Sequence, residues 1–457
     1  MENSSKFFEN RSCQFFPCHK LDGDFNCLFC YCPFYARNPC PGNPTFIKKE
    51  DGRIIKRCTD CNFPHKPENY EKIMSLLKTP KIEALKEEYH HGGENSAQVK
   101  GKNKIDFSVN VNPLGLPKGV KSAVKKSLDL CEKYPDQSCT RLREKLAKKI
   151  QTDFNLSSLK SKNLVCTNGA SELISLLVTA ICPKNALLVS PTFSGYERAL
   201  KTNGCRLHYH VLSREKSFAF DENLLSSIKK CENLDMIFLC SPNNPTGLMI
   251  EKTLLEKIIA LCEERGIFLF VDECFIDFTD KTSWSALQFV EKSPHLIVLN
   301  AFTKIYAMAG LRLGYGISSN LGLIQKINSL KPEWSVSQLS QLAGEVALKE
   351  KGYIEKTRVL IKREREYLSK ELKALGFTVF PSEANFILFS AENIIKEKQK
   401  TEFEKLGEFL LEKGLSLRNC GNFKNLSEND WRIAVKRHSE NKKLIKFLCH
   451  FANSILK

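Results

Sequence analysis

The sequence predicts an α/β fold with three parts: a small cysteine-rich region, a large domain around a mostly parallel sheet, and a smaller α+β domain. From about residue 90, strand-like apolar runs alternate with helix-like segments, as in parallel sheets with crossover helices. After about residue 330, a long charged amphipathic stretch and short β-like runs replace that alternation. The first 75 residues combine Cys, Pro, Asn and aromatic residues with little periodicity. Because such a region cannot build a large apolar core, it needs cross-links such as metal ions or disulfides to stabilise its fold.

These shifts of composition divide the chain of 457 residues into four segments. We expect a cysteine-rich metal-binding domain at 1–75, a linker and N-terminal arm at 76–125, a large domain at 126–335 and a small domain at 336–457. The small domain should begin with one long helix, roughly Ser337 to Leu375, and should be completed by the N-terminal arm.

The formal charge of +17 raises the question of a nucleic-acid partner. The lysines are scattered among glutamates on helix-like stretches, however, and no compact patch of arginines and aromatic residues is present. We therefore expect a solvated basic surface and no nucleic-acid partner. No apolar stretch approaches the length of a membrane span, and the polar start is no secretory signal, so we expect a cytoplasmic protein without a membrane partner.

Polar residues follow each strand of the predicted parallel sheet. Leu164–Cys166 leads into a small-residue turn and a helix start at 167–172. Met236–Cys240 leads into Ser-Pro-Asn-Asn-Pro-Thr-Gly, and Ile267–Val271 leads into Asp272 and Glu273. Because open α/β sheets bind ligands at the carboxyl ends of their strands, these polar groups predict a shared site.

Lys304 is the most informative residue of this set. The apolar run Leu296–Leu299 predicts a buried strand just before it, and Arg312 follows eight positions later. A lysine at the end of a buried strand has a desolvated amine with a lowered pKa, which makes it a candidate Schiff-base nucleophile.

In this order, the Asn-Pro-Thr-Gly, Asp-Glu and Thr-Lys motifs with the trailing arginine resemble fold-type I pyridoxal-phosphate (PLP) enzymes, of the histidinol-phosphate aminotransferase-like branch. The resemblance implies PLP as cofactor, with Lys304 bonded to it. It also implies that Asp272 lies at the pyridine nitrogen and keeps it protonated, so that the ring accepts electrons from a breaking bond.

The same resemblance implies the rest of the cofactor site. Phe193 would stack on the ring, Asn244 would contact its hydroxyl, and Tyr134 would reach the PLP phosphate of the neighbouring subunit, which makes the protein a homodimer. The residues that would line the PLP phosphate are Gly169, Ala170, Ser171, Thr303 and Arg312. Relatives often carry a hydroxyl three residues before the lysine, where this chain has Ala301, so one phosphate contact would be missing or supplied elsewhere.

A narrower resemblance covers the chain from about residue 90 to its end. His91-Gly92-Gly93, the stretch Asp106–Gly115, Phe275–Phe278 after Asp-Glu, Trp334–Val336 and Leu417–Phe423 are similar to the threonine-phosphate decarboxylases of cobalamin biosynthesis. Typical aminotransferases carry Tyr where Phe275 stands, and that hydroxyl helps tune the cofactor's ring oxygen. The residue change therefore disfavours transamination.

The resemblance implies a substrate with two anionic ends, an amino acid phosphorylated on its hydroxyl. Arg432 would clamp the carboxylate and Arg418 the second anion, since guanidinium forks bind both groups well. The other expected substrate contacts are His91, Gly92, Asn112 and Asn244. The expected reaction converts O-phospho-L-threonine, or O-phospho-L-serine, to an amino-alcohol phosphate for the cobalamin nucleotide loop. One methyl group separates the two substrates, and the sequence leaves that choice open.

Two other functions fit parts of the sequence. A histidinol-phosphate-type aminotransferase is the main alternative, although Phe275 and His91-Gly92-Gly93 disfavour it. A nonenzymatic metal-binding regulator with a PLP-like sensor domain is less favoured, because the catalytic set is complete and no helix-turn-helix pattern is present.

The cysteine-rich region carries eight of the chain's 19 cysteines, including the Cys-x-x-Cys pairs Cys27/Cys30 and Cys58/Cys61. In a reducing compartment such pairs favour metal binding over disulfides. The predicted ligands are Cys13, Cys18, Cys27, Cys30, Cys32, Cys40, Cys58 and Cys61, with His19 and His65 close by. Two four-cysteine sites, an iron–sulfur cluster plus a zinc, or one site with spare thiols all remain open. A structural role is favoured over a regulatory or catalytic one.

Overall fold

A computed structural model describes residues 2–35, 40–49, 54–77, 104–394 and 402–455. The chain divides into two compact units, Met1–Glu88 and Tyr89–Lys457, and each is described by itself. The domain boundaries expected from the composition, at residues 75, 125 and 335, stay predictions.

The first unit contains little regular structure. Strands β1 (Thr45–Lys48) and β2 (Ile54–Arg57) form an antiparallel hairpin that leads directly to Cys58, and helix α1 (Tyr70–Leu77) follows. Its buried apolar side chains include Phe7, Phe25, Phe34 and Ile73. This core is small, in agreement with the composition.

The second unit is built around a seven-stranded sheet in the order β4-β10-β9-β8-β7-β5-β6. A short strand, β3 (Ile105–Asp106), precedes it in the chain. The sheet strands are β4 (Leu164–Thr167), β5 (Asn185–Ser190), β6 (Arg206–Val211), β7 (Met236–Cys240), β8 (Phe268–Asp272), β9 (Leu296–Ala301) and β10 (Gly314–Ile317). Strand β10 runs antiparallel to β4 and β9, while the other neighbours are parallel. The mostly parallel sheet expected from the sequence is confirmed.

Helices connect these strands, and their spaced apolar residues face the core. Helix α3, for example, buries Leu142, Leu146 and Ile150, one side chain per turn. The helices of this part are α2 (Lys118–Lys126), α3 (Thr140–Phe154), α4 (Ala170–Ile181), α5 (Ser194–Thr202), α6 (Asn223–Lys230), α7 (Lys252–Arg265), α8 (Lys281–Trp284), α9 (Phe302–Ile305), α10 (Leu321–Leu330) and α11 (Gln338–Ala347). Within the described ranges, no helix is long and apolar enough to cross a bilayer.

The C-terminal part is a four-stranded antiparallel sheet with helices, in the strand order β11-β12-β15-β14. Its elements are α12 (Tyr353–Ala374), β11 (Thr378–Val379), β12 (Phe386–Ser390), α13 (Glu402–Glu412), β13 (Leu415–Ser416), β14 (Arg418–Asn419), β15 (Asp430–Ala434) and α14 (His438–Ile455). Strand β13 pairs in parallel with β3, so the N-terminal arm does join this part of the fold.

The expectation of one helix from Ser337 to Leu375 is wrong. Helix α11 ends at Ala347, and α12 begins at Tyr353. Gly352 stands between them with φ +68°, a left-handed conformation that glycine adopts without a steric penalty. The amphipathic pattern continues across this break, and therefore the pattern alone did not show it.

Candidate active site

A cavity of about 400 Å³ opens at the carboxyl ends of the parallel strands. Strand ends, helix starts and the C-terminal sheet all contribute to its wall. Its lining residues are Ser108, Val109, Asn110, Ala170, Ser171, Ile174, Phe193, Ser194, Tyr196, Cys240, Asn244, Asp272, Cys274, Phe275, Thr303, Lys304, Arg312, Arg418, Phe423 and Arg432. Most of the side chains expected to form the cofactor and substrate sites are thus brought together.

Lys304 enters this cavity from the short helix α9, directly after strand β9. Burial lowers the pKa of its amine, and the charges of Arg432 and Arg312 lower it further, although Cys274 and Asp272 act in the opposite sense. Its Nζ lies 5.8 Å from the centroid of the Phe275 ring. A lysine held in this way favours its neutral, nucleophilic form.

Asp272 is the last residue of β8, and its carboxylate is buried. Burial raises its pKa, while two hydrogen bonds oppose that rise. The Tyr196 hydroxyl donates to Oδ2 at 2.7 Å and the Cys274 backbone N–H to Oδ1 at 2.9 Å. Both donors favour the ionised carboxylate.

Tyr196 was not singled out from the sequence. It is fully buried on α5, one turn after Phe193, and the two rings meet edge to face at 5.4 Å. In the sequence, Tyr196 follows Phe193 by three residues, and this spacing places both side chains on one face of a helix start.

The N-terminus of α4 forms one end of the cavity. Gly169 precedes the helix with φ +78°, and Ala170 and Ser171 supply its first turn. A Cβ on Gly169 would collide with the guanidinium of Arg312. Free N–H groups at a helix N-terminus, next to a guanidinium, form an anion site suited to a phosphate.

Arg418 and Arg432 form the opposite end. They occupy directly paired positions on β14 and β15, and both line the cavity. Arg432 is buried and donates to the Asn244 Oδ1 and to the Ser108 carbonyl at 2.7 Å from Nη2. Arg418 donates to the Asn419 carbonyl at 2.8 Å and to the Asn422 Oδ1 at 2.7 Å. Burial lowers the pKa of Arg432 to about 10, and the charge of Arg418 also lowers it.

The structure places some expected contacts elsewhere. Asn112 does not line the cavity: its Nδ2 donates to the Ile305 carbonyl at 2.7 Å and to Thr357 Oγ1 at 2.8 Å. Its backbone N–H donates to the Lys304 carbonyl at 3.2 Å, so Asn112 holds the turn that carries the lysine. Asn110 lines the cavity instead, with a buried Oδ1 that accepts no hydrogen bond from the described residues.

Three further predicted site residues are not among the described lining of this cavity. His91 and Gly92 fall outside the described residues. Tyr134 is 79% exposed in the single chain, and its ring packs at a tilt against Trp334, with ring centroids 4.5 Å apart. Its predicted contact with a neighbouring subunit remains a prediction.

The chemistry of the cavity fits PLP. The α4 N-terminus and Arg312 would hold its phosphate, Phe193 its ring face, Asn244 its ring hydroxyl, Asp272 its pyridine nitrogen and Lys304 its carbonyl carbon. Thr303 is buried beside Lys304 and also lines the cavity.

The thiols of the cysteine-rich unit are free, as are those of the rest of the chain. Each Cys-x-x-Cys pair forms a turn, with Cys30 N–H donating to the Cys27 carbonyl at 3.2 Å and Cys61 N–H to the Cys58 carbonyl at 3.1 Å. Each turn brings the two cysteines of a pair close together, as in Cys-x-x-Cys metal sites.

Comparisons with known proteins agree with this site. Residues 102–448 match the class I and II aminotransferases, and residues 4–88 match a family described as a cysteine-rich small domain. The chain therefore belongs to the class I and II aminotransferase family, whose PLP chemistry its cavity fits.

Within that family, particular relatives are more informative. The chain is 33% identical over 345 residues to threonine-phosphate decarboxylase of Salmonella typhimurium, covering 75% of this chain and 90% of that protein. It is 34% identical over 363 residues to an adenosylcobalamin biosynthesis bifunctional protein of Leptospira interrogans, covering 78% of this chain and 40% of that protein. The resemblance to threonine-phosphate decarboxylases is confirmed.

A solved structure shows the same fold. The histidinol-phosphate aminotransferase of Clostridium acetobutylicum superposes with a TM-score of 0.68 at 31% identity, covering 76% of this chain and 99% of that one. The expected fold-type I architecture is confirmed.

Proposed function

We propose that the protein is a PLP-dependent lyase that decarboxylates an O-phospho-amino acid, O-phospho-L-threonine or O-phospho-L-serine. The observation that carries this proposal is the pair Arg418 and Arg432, placed opposite each other on adjacent strands and facing one cavity. Like charges at directly opposite positions destabilise a sheet. A ligand with two anionic groups would offset that cost.

The charges lining the cavity support the same substrate. Among the described residues that line the cavity, Lys304, Arg312, Arg418 and Arg432 are basic, and Asp272 alone is acidic. Arg312 lies with the α4 N-terminus, where the cofactor phosphate would bind, which leaves two arginines for the substrate. An amino acid with one carboxylate and one phosphate matches that number.

When bound, PLP supplies a protonated ring that accepts the electrons of a breaking bond at Cα. An ionised Asp272 would keep the ring nitrogen protonated. Burial raises the pKa of Asp272, and the hydrogen bonds from Tyr196 and Cys274 oppose that rise. Phe275 offers no hydroxyl where typical aminotransferases have one. These groups set the electronic environment without exchanging protons with the substrate.

The substrate's two ends determine which bond breaks. Arg432 would bind the carboxylate and Arg418 the phosphate, with Asn110 and Asn244 as further polar contacts. The Cα–carboxylate bond would break and CO₂ would leave. The Lys304 amine, after it takes a proton from the ammonium group of the incoming substrate, would give that proton to Cα in place of the carboxylate. The product is an amino-alcohol phosphate, aminopropanol phosphate from threonine phosphate.

Similarity to decarboxylases and to a cobalamin-biosynthesis protein supports a product used in the cobalamin nucleotide loop. The histidinol-phosphate aminotransferase function stays as the alternative, supported by the shared fold. Phe275 is the residue in the cavity wall that disfavours it.

Kinetics with matched substrates test this assignment. The full chain should turn over O-phospho-L-threonine or O-phospho-L-serine much faster than unphosphorylated threonine or serine. Arg418→Gln should reduce kcat/KM for the phosphorylated substrate by roughly 10- to 150-fold, the range of a charged hydrogen bond, without loss of bound PLP. Arg141→Gln, at a 78% exposed side chain, is the control and should be unaffected. Equal turnover with and without the phosphate would refute the assignment.

We also propose a homodimer in which Tyr134 contacts the cofactor phosphate of the partner. The exposed rings of Tyr134 and Trp334 lie against each other and support a contact between subunits, since adjacent exposed aromatic rings suit an interface. Tyr134→Phe should leave the oligomeric state unchanged in sedimentation and weaken PLP retention. Retention equal to that of the unaltered protein would contradict the contact.

For the cysteine-rich unit we propose metal binding, as zinc or an iron–sulfur cluster, with a structural role. Its eight thiols, two Cys-x-x-Cys turns and small apolar core support this. Elemental analysis after anaerobic purification should find at least one metal ion per chain, and finding none would contradict it.

A further inference from the structure

Three ligand atoms of the cysteine-rich unit converge on one point. The Cys18 Sγ lies 3.2 Å from His19 Nδ1 and 3.9 Å from His65 Nε2, and the three atoms all lie within 4.8 Å of one another. A tetrahedral zinc ion with ordinary Zn–S and Zn–N bonds separates sulfur from nitrogen by about 3.6 Å. The two observed distances lie on either side of that value.

Each imidazole is oriented by a backbone carbonyl through its other nitrogen. His65 Nδ1 lies 3.0 Å from the Asn26 carbonyl, and His19 Nε2 lies 3.4 Å from the Cys58 carbonyl. A carbonyl can only accept, so these nitrogens carry the protons. The lone pairs are therefore left on His65 Nε2 and His19 Nδ1, the two atoms that face Cys18. Histidines that bind metals are commonly oriented in this way.

A fourth ligand is available from the thiols near the two histidines. His19 and His65 line one cavity of about 340 Å³ together with Cys30, Cys32, Cys58 and Cys61, whereas Cys13 and Cys27 do not line it. One of these four thiols would complete a four-ligand set.

The loop after Cys40 wraps closely around Cys61. The Asn43 backbone N–H donates to the Cys61 Sγ at 3.3 Å, and a Cβ on Gly42 would lie 2.7 Å from the same sulfur. Among the described residues, no second group of three or more ligand atoms lies as close together as those of Cys18, His19 and His65.

We propose that Cys18, His19 and His65 form a zinc site of mixed sulfur and nitrogen ligands, completed by one thiol of the cavity that the two histidines line. This inference rests on the proposed metal binding of the cysteine-rich unit and adds the ligands of one site. Cys13, which does not line that cavity, is not a ligand of this site.

Zinc content and zinc X-ray absorption of the full chain test the assignment, independently of any activity. The unaltered protein should hold zinc with both sulfur and nitrogen in its first shell, and with imidazole outer-shell scattering. His65→Ala should hold less zinc and show a weaker imidazole signal. Cys13→Ser is the matched control and should keep the zinc content and the imidazole signal of the unaltered protein.

The outcomes separate the two proposals. No zinc or iron in the unaltered protein would overturn metal binding by this unit altogether. Bound zinc with a sulfur-only shell, a sulfide-bridged iron cluster, or loss of zinc in Cys13→Ser would each overturn the mixed site alone. The spectrum of the unaltered protein decides the ligand type even if His65→Ala does not fold.

Discussion

At the scale of single residues, the site depends on charged groups held away from water. Lys304 has its pKa lowered by burial and by two arginines, and Asp272 has its pKa raised by burial. Both shifts cost stability and both serve chemistry, as is common in active sites. Two predictions concern such buried groups.

The first prediction concerns the covalent link to PLP. Lys304→Ala should abolish the protein–PLP bond that borohydride reduces, because no other described lysine lines the cavity. Mass spectrometry of the reduced, digested protein measures this. Lys326→Ala, at an exposed position on α10, should retain the bond. A reduced PLP adduct in Lys304→Ala would show that another lysine is the attachment point.

The second prediction concerns pH and Glu273, which is buried beside Asp272. Burial raises its pKa from 4.5 to about 7, although the Ser285 hydroxyl and the Ala286 N–H donate to it. Between these values the folded protein binds a proton that the unfolded chain does not, so the free energy of unfolding falls as pH rises. The total loss should be on the order of 3 kcal/mol.

Glu273→Gln cannot ionise, and its amide can accept from the Ala286 N–H through Oε1 and donate to the Ser285 Oγ through Nε2. Denaturant unfolding from pH 5 to 8 should therefore show a flatter pH dependence for this variant than for the unaltered protein. Glu256→Gln, at an exposed position of α7, should not flatten it. Parallel profiles for Glu273→Gln and the unaltered protein would mean that Glu273 does not titrate in this range.

At the scale of elements, the buried strands were the most predictable part. The apolar runs before residues 167, 241, 272 and 302 form strands β4, β7, β8 and β9. A short continuous apolar run bounded by polar turns is typical of a buried strand, which is why these elements were predictable. Their polar ends meet in one cavity because parallel strands share an edge.

Two features were not predictable from periodicity. The break between α11 and α12 depends on one left-handed glycine within a continuous amphipathic pattern. The choice between Asn110 and Asn112 depends on a turn: the Asn112 Oδ1 accepts the Leu114 N–H at 3.0 Å, and Gly115 N–H donates to the Asn112 carbonyl. That turn directs Asn112 into the fold and leaves Asn110 at the cavity.

A third prediction concerns the contact between β10 and the start of α4. A Cβ on Gly314 would lie 2.8 Å from the Ala170 backbone nitrogen and 2.8 Å from the Gly169 carbonyl carbon. Gly314→Ala should displace the helix start and weaken PLP binding by tenfold or more, which equilibrium dialysis measures. Gly310→Ala, where an added Cβ meets nothing within 4 Å, should bind PLP normally. Normal binding by Gly314→Ala would contradict the phosphate site.

At the scale of the whole molecule, the described part of the catalytic cavity is built entirely from the unit Tyr89–Lys457. A fourth prediction follows: a chain that starts at Thr79 should fold, retain PLP and decarboxylate. Chelation of metal from the full chain should make the first 75 residues sensitive to protease while the rest stays resistant. A truncated chain that binds PLP yet is inactive would mean that the cysteine-rich unit contributes to catalysis.

The central claim is that the cavity breaks the bond to the carboxylate rather than transferring the amino group. The most direct measurement is the carbon balance with carboxyl-labelled O-phospho-L-threonine or O-phospho-L-serine and purified full chain. With the productive substrate, one labelled CO₂ should appear for each molecule consumed, together with an equal amount of the corresponding amino-alcohol phosphate, and no keto acid should be required. Retention of the label, with turnover that depends on a keto acid as amino acceptor, would contradict the account and favour an aminotransferase.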